Sequence, residues 1–308
     1  MKRRTITISL LFILCSCFLN GQDTITTYYD RDWKKCNKDF AIYYRKAYPD
    51  NSSNMWIVKD YHMSGQLQML GTYSDKKLKK QQGSATFYHH NGKLAQVGQY
   101  LDNKSVGVWK IYYVSGSIAS EGKKIDGKND SIWTYYHLNG SIKGTTNFVN
   151  GIREGESVWY YESGKICEKI TYKNDKIKSK VNYDENCNVL KTVEKDRTVD
   201  FSGGIDNLFS YLSENIKYPE ELAEKKIEGV VMLYFIVRKD GRIDNVEYKK
   251  SDEPLFNEEA LRVFSLIKYM KPAREHGILV DRECSIPIVF RLYGELDIRR
   301  LIKKTNNP

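Results

Sequence analysis

Five histidines, His62, His89, His90, His137 and His276, and four cysteines beyond residue 22, Cys36, Cys167, Cys187 and Cys284, are the side chains that could bind a metal or attack a carbonyl. Their spacing suits neither task. There is no CxxC and no Cys/His spacing of the kind a tetrahedral zinc site needs. No GxSxG elbow, phosphate loop or dinucleotide fingerprint is present. The acid pairs Glu220-Glu221 and Glu258-Glu259 fall on predicted helices and read as solvated faces. The chain is therefore expected not to be an enzyme, and to need no cofactor and no metal. Cys167 and Cys187 are the only cysteines close enough in sequence to suggest a bridge, and Cys284, in an apolar strand pattern, reads as a small core residue.

What remains must act through surfaces. At 308 residues the chain is long enough for two domains. Its 23 tyrosines, frequent glycines and few prolines favour β structure. The net charge of +10 is unevenly spread. Residues 201–308 are neutral, whereas Asp23 to Asp200 carries 28 basic against 21 acidic side chains. Such an excess favours anionic partners such as lipid headgroups or polysaccharide, or simply keeps an extended β surface soluble. No dense basic stripe accompanies a recognition element, so nucleic acid is not expected as a partner.

Between residues 60 and 195 the chain repeats itself with a period near 24 residues. The unit is an aromatic residue, a Gly four positions later and an aliphatic two beyond that. It recurs as Tyr61-Gly65-Leu67, Tyr88-Gly92-Leu94, Tyr112-Gly116-Ile118, Tyr136-Gly140-Ile142 and Tyr160-Gly164-Ile166. A degenerate copy, Tyr183-Cys187-Val189, has Cys in place of Gly. A second marker, Gly83, Gly107, Ser131 and Gly155, lies five residues before the Tyr. Trp109 and Trp133 share one phase, but Trp159 falls two positions late. Alternating runs such as Val108 to Tyr113 read as strands, and Asn91-Gly92 or Ser115-Gly116 as hairpin turns. Stacked hairpins would make an elongated antiparallel sheet. Gly107 to Ile118 resembles the bacterial variant of the MORN repeat, which implies a scaffold or interaction surface. Asp23 to Lys59 has no clear period; Phe40 to Tyr44 is expected to be a strand or a decayed repeat capping the array.

After a charged linker, Lys191 to Arg197, the pattern changes. Ile205, Leu208, Phe209, Leu212 and Ile216 mark one helix face, and Glu220 to Lys226 a second, short helix opened by Pro219. Val230 to Val237 is an apolar strand, Lys239 to Arg242 a turn, and Ile243 to Lys250 its return. Phe256, Ala260, Val263, Phe264 and Ile267 form another helical stripe. Ile286, Ile288, Phe290 and Leu292 alternate along a last strand. The expected fold is mainly β: a hairpin-repeat array followed by a small ααββαβ domain at 200–293 and a tail at 294–308.

The landmarks Tyr218-Pro219, Ile227-Glu228-Gly229, Asp240-Gly241-Arg242 and Lys271-Pro272 resemble, in order, those of TonB C-terminal domains. Phe201-Ser202-Gly203-Gly204 resembles the FPGG start common in versions from Bacteroidetes-type bacteria. Where that family usually has Trp just before Lys-Pro, this chain has Tyr269 and Met270. The resemblance implies binding by strand addition: an extended segment of an outer-membrane receptor, the TonB box, or of another envelope protein pairs with an exposed sheet edge. The edge it points to is Cys284, Ser285, Ile286, Pro287, Ile288, Val289, Phe290, Arg291 and Leu292. Pro287 suits an edge strand and would either tolerate docking there or guard against unwanted pairing.

Residues 1–22 read as an export signal, with Lys2, Arg3 and Arg4 ahead of an apolar Ile6 to Leu19. Leu14-Cys15-Ser16-Cys17 resembles a lipobox that would lipidate Cys17 and anchor the chain to a membrane; cleavage near Asn20-Gly21-Gln22 would instead release it into the periplasm. The expected apolar stretch is short for a bilayer span, which takes roughly 20 residues, and no Pro-rich spacer follows, so direct energy transduction is expected only if the signal stays uncleaved.

Overall fold

The structure, a computed structural model, describes residues 24–249 and 253–292. The expected export signal at residues 1–22, with Cys17, and the expected tail at 294–308 lie outside the described residues.

The tyrosine–glycine period builds one antiparallel sheet of 14 strands in sequential order. They are β1 (Ile25–Tyr29), β2 (Tyr43–Pro49), β3 (Trp56–His62), β4 (Leu67–Tyr73), β5 (Gln81–Tyr88), β6 (Leu94–Leu101), β7 (Lys104–Tyr112), β8 (Ile118–Ile125), β9 (Lys128–Tyr136), β10 (Ile142–Val149), β11 (Ile152–Tyr160), β12 (Ile166–Lys173), β13 (Lys176–Tyr183) and β14 (Val189–Leu190). Each period is one hairpin. The turn glycine after each tyrosine is left-handed, as at Gly92 with φ 81° and Gly116 with φ 95°, and Cys187 adopts the same conformation at φ 65° in the degenerate copy. Ser131 stands at φ 59° where its counterparts are glycines, so the second marker is a conformational requirement too. The unperiodic N-terminal stretch adds β1 and β2 to the same sheet. Tyr43 and Tyr44 are in β2, but Phe40 lies in a 3-10 turn, exposed, and not in a strand.

A single layer has no second sheet to bury against, so the repeat makes its core from tryptophan on glycine. Trp109 and Trp133 are each only 2% exposed. A Cβ at Gly98 would come within 2.3 Å of the Trp109 ring, one at Gly122 within 2.4 Å of Trp133, and one at Gly144 within 2.2 Å of Trp159. Gly122→Ala is therefore expected to displace Trp133 and cost about 1–3 kcal/mol. Urea unfolding should show that loss, and a smaller one in a Trp133→Leu background.

From Tyr88 to Tyr160, the residue after each repeat tyrosine links one hairpin to the next. His89 Nε2 lies 2.9 Å from the Tyr112 carbonyl oxygen, the Tyr113 hydroxyl donates to that of Tyr136 at 2.6 Å, His137 Nε2 lies 3.0 Å from that of Tyr160, and the Tyr161 hydroxyl donates to that of Tyr183 at 2.7 Å. A carbonyl oxygen only accepts, so both histidines carry their proton on Nε2. His89 and His137 are thus joints of the scaffold.

The C-terminal region holds α1 (Gly204–Asn215), α2 (Glu220–Glu224), β15 (Gly229–Val237), β16 (Ile243–Tyr248), α3 (Pro254–Phe264), β17 (Ala273–Glu275), β18 (Ile278–Val280) and β19 (Arg282–Phe290). The sheet order is β16-β15-β19, and β17 pairs only with β18. The expected ααββαβ order thus gains a small hairpin before its last strand. Leu208, Leu212, Phe256, Ala260, Val263 and Phe264 from the helices cover Val231, Leu233, Phe235 and Val237 of β15 and Ile286, Ile288 and Phe290 of β19. Ile205, placed on the apolar face of α1 by its spacing, is instead 47% exposed, and Ile216 is the extended residue that caps that helix. Glu259 is not a solvated face either: its side chain is 10% exposed, paired with Arg262, and accepts the Lys217 amide at 2.5 Å. Among the described residues no helix is long and apolar enough to cross a membrane.

Candidate functional site

The landmark residues of the C-terminal region hold it together and are not gathered at one site. The Tyr218 hydroxyl donates to the Ile227 carbonyl, and its ring stands edge-on to Phe256 and Phe290. Pro219 caps α2, and a side chain at Gly229 would press on the Phe256 ring. Asp240 accepts from the Arg242 amide in the hairpin turn. The Tyr269 ring lies so close over Gly241 that a Cβ there would come within 1.9 Å of it, while Met270 is buried and its amide donates to the Gly241 carbonyl. Lys271, just before Pro272, exchanges backbone hydrogen bonds with Asp200.

The expected docking strand is at an edge. β19 pairs with β15 from Gly229 opposite Phe290 to Val237 opposite Arg282, and among the described residues no strand pairs with its other side. Arg291 and Leu292 lie past its end. The Lys249 amide donates to the Met232 carbonyl, so Met232 faces β16 and Leu233, by alternation, faces β19. On β19 the backbone groups of Cys284, Ile286, Ile288 and Phe290 then point to β15, and those of Glu283, Ser285, Pro287 and Val289 point outward. Pro287 sits where its missing N–H costs the β15 pairing nothing. The open edge offers the amides of Glu283, Ser285 and Val289 with one gap between them. Burial pushes the Cys284 thiol up to about 11 and that of Cys167 to about 12, so neither is a nucleophile at neutral pH. All four described cysteines are free, with Cys167 buried in β12 and Cys187 exposed in a turn.

The second face of the same sheet rests on the repeat array. Tyr234 of β15 stacks on His90, ring centroids 3.5 Å apart and 10° from parallel. Glu283 accepts from the Val114 and Ser115 amides at 2.8 and 3.0 Å, Lys239 pairs with Glu162 at 2.7 Å, and Lys249 Nζ lies 3.2 Å from His62 Nδ1. The β17–β18 hairpin acts as a clasp. His276, at its tip, stacks on Trp159 with centroids 3.8 Å apart and bonds Glu168 at 2.5 Å. Glu168 is fully buried. Burial alone would raise its pKa, but hydrogen bonds from His276, Lys180 and Asn182 outweigh that and hold it at about 2. The charged linker is part of the clasp, since Asp196 accepts the Gly277 amide and Arg197 exchanges backbone hydrogen bonds with Arg274.

This interface is pH-sensitive by construction. Burial, aided by Lys249, lowers His62 to about 4, and burial also lowers His90 to about 4 against the pull of Glu247. Both rings are neutral when docked, and separation from Lys249 and Tyr234 moves them back toward the ordinary value near 6.5. Between those values the separated state binds more protons, so docking is complete above about pH 6.5 and weakens as pH falls toward 4. Allowing for partial exposure, the two rings together should weaken docking by about 2 kcal/mol at pH 5. Amide exchange at Val114 and Ser115, corrected for its intrinsic pH dependence, should rise over that window, and less so in His90→Gln.

Sequence reasoning missed the clasp, although Trp159 falling out of phase signalled it. Comparison with known families agrees with the two-part reading. Residues 214–292 match the Gram-negative bacterial TonB protein C-terminal family, and residues 81–102, 129–150 and 153–174 match the MORN repeat variant. No curated protein matches the chain. With the ordered landmarks at 218–272 and the hairpin period at 60–195, the chain carries a TonB C-terminal domain preceded by MORN-variant repeats.

Proposed function

We propose that this is a non-enzymatic cell-envelope protein whose C-terminal domain captures extended segments of partner proteins, TonB boxes of outer-membrane receptors among them, by strand addition on β19. The observation that carries the reading is the open outer edge of that strand, with the amides of Glu283, Ser285 and Val289 turned away from β15. Docking there supports a part in TonB-linked transport across the outer membrane, with the chain exported to the periplasm and held to a membrane if Cys17 is lipidated. Main-chain pairing supplies most of the affinity in this mode, so the absence of a side-chain constellation on the strand fits it.

A second reading, a structural or adhesive scaffold acting through the repeat sheet, draws on the extensive contact between that sheet and the domain. Capture of envelope proteins on the immobilised full chain separates the two. The first reading expects receptor segments to be retained and then lost with Val289→Pro. Retention indifferent to that change, but lost on altering the repeat face, would favour the second.

A further inference from the structure

The repeat sheet has a second face that, among the described residues, carries none of the contacts to the C-terminal domain given above. The tryptophans, and with them the contacts to His276 and the clasp, all lie on the first face. Alternation along the strands puts Tyr88, Tyr112, Tyr136, Tyr160 and Tyr183 on the other, one on every second strand from β5 to β13. Strands pair about 4.8 Å apart, so these half-buried rings recur about every 9.6 Å along a platform of roughly 38 Å. The Tyr136 hydroxyl donates to Glu121 of the neighbouring strand at 2.8 Å, which lays that ring across the sheet and turns a face outward. Val108 and Ile132 on this side are each 62% exposed. In the strand centres Lys46, Lys59, Lys110, Lys123 and Lys169 share this face with Glu121 and Glu156, and among the described residues only Lys110 of these lysines has a carboxylate within ion-pairing distance.

We propose that this face binds an extended anionic polysaccharide, a β-1,4-linked chain bearing carboxylates. Sugar rings present flat C–H faces that stack on aromatic rings. A β-1,4 chain is a ribbon showing the same face once per disaccharide, a length close to the tyrosine spacing. The unpaired lysines complement its charge. A β-extended peptide fits worse, since its side chains return to one face about every 6.6 Å, out of step with the tyrosines. A polyproline ribbon needs an aromatic groove, and this face is an open sheet.

The test is affinity electrophoresis of the mature full chain through gels containing mannuronate-rich alginate, whose β-1,4-linked blocks carry one carboxylate per sugar, with hydroxyethylcellulose gels as the neutral comparison. Alginate should retard the chain strongly and the neutral polymer weakly. Tyr112→Ala with Tyr136→Ala should weaken alginate binding tenfold or more, whereas Phe at both positions should keep most of it. Lys123→Glu with Lys169→Glu, at solvent-facing positions, should abolish retardation at low salt even if the alanine pair fails to fold. No retardation by alginate, or retardation that survives both the tyrosine-to-alanine pair and the lysine pair, overturns the proposal. So does co-sedimentation with phosphatidylglycerol vesicles in the absence of alginate binding.

Discussion

Replacing Trp159 by alanine is expected to destabilise the chain by about 3 kcal/mol and to free the C-terminal domain from the repeat sheet. The ring does two jobs. It fills the space over Gly144, as Trp133 does over Gly122, and it is the platform on which His276 stacks. Its removal opens a cavity in a sheet that has no second layer to close it. It also strips one side from the hairpin that brings His276 to the buried Glu168. Glu168 would keep Lys180 and Asn182 but lose its bond across the interface. Urea unfolding should report the loss of stability, and faster exchange at the Val114 and Ser115 amides, which Glu283 holds, should report release. Trp109→Ala is the matched comparison. It removes an equivalent ring, one on which His276 does not stack, from the hairpin whose Val114 and Ser115 amides Glu283 holds, so it should destabilise the sheet while those two amides lose less protection than in Trp159→Ala. Val114 and Ser115 staying equally protected in both variants would mean that Trp159 carries no part of the docking.

The second large effect concerns the edge. Val289→Pro removes an outward N–H without touching the bonds that β19 makes to β15, because the register turns the Val289 backbone away from that strand. If partners add to this edge, the change should lower their affinity about 10- to 100-fold, the cost of one or two lost main-chain hydrogen bonds and the gap they leave. Pro287→Val should act the other way, supplying the one donor the edge lacks. Partner binding should then tighten severalfold. If Pro287 serves only as a guard, the same change should leave partner affinity unaltered and produce concentration-dependent self-association, visible by sedimentation.

Much of this was legible in the residues because it rests on local periodicity. A tyrosine, a left-handed glycine and an aliphatic at fixed spacing describe a hairpin completely, and 24 residues later they describe the next. The apolar stripe of α3 and the alternation of β19 were equally plain. The contact between the two parts was not, because it depends on tertiary placement that no period encodes. Two signals were nonetheless present. Trp159 broke phase, and it is the tryptophan on which His276 stacks. Val230 to Val237 ran apolar without alternation because much of β15 is covered on both sides, by helices on one and by the repeat turns, through Tyr234, on the other, although Val230 at its start is 43% exposed. Ile205 misled because spacing marks a helix face but not how far the core reaches along it. The β17–β18 hairpin escaped notice because its strands are three residues each, too short for alternation to show.

The most direct measurement is site-specific photo-crosslinking in the intact envelope. A photoreactive residue at Ser285, exposed on the outer half of β19, should form adducts with extended segments of envelope proteins, and Val289→Pro should abolish them. The same probe at Ile132, on the repeat face, serves as the comparison and should not report those partners. Envelope-protein adducts at Ile132 with none at Ser285, or adducts at Ser285 that persist in Val289→Pro, would contradict strand addition on this edge.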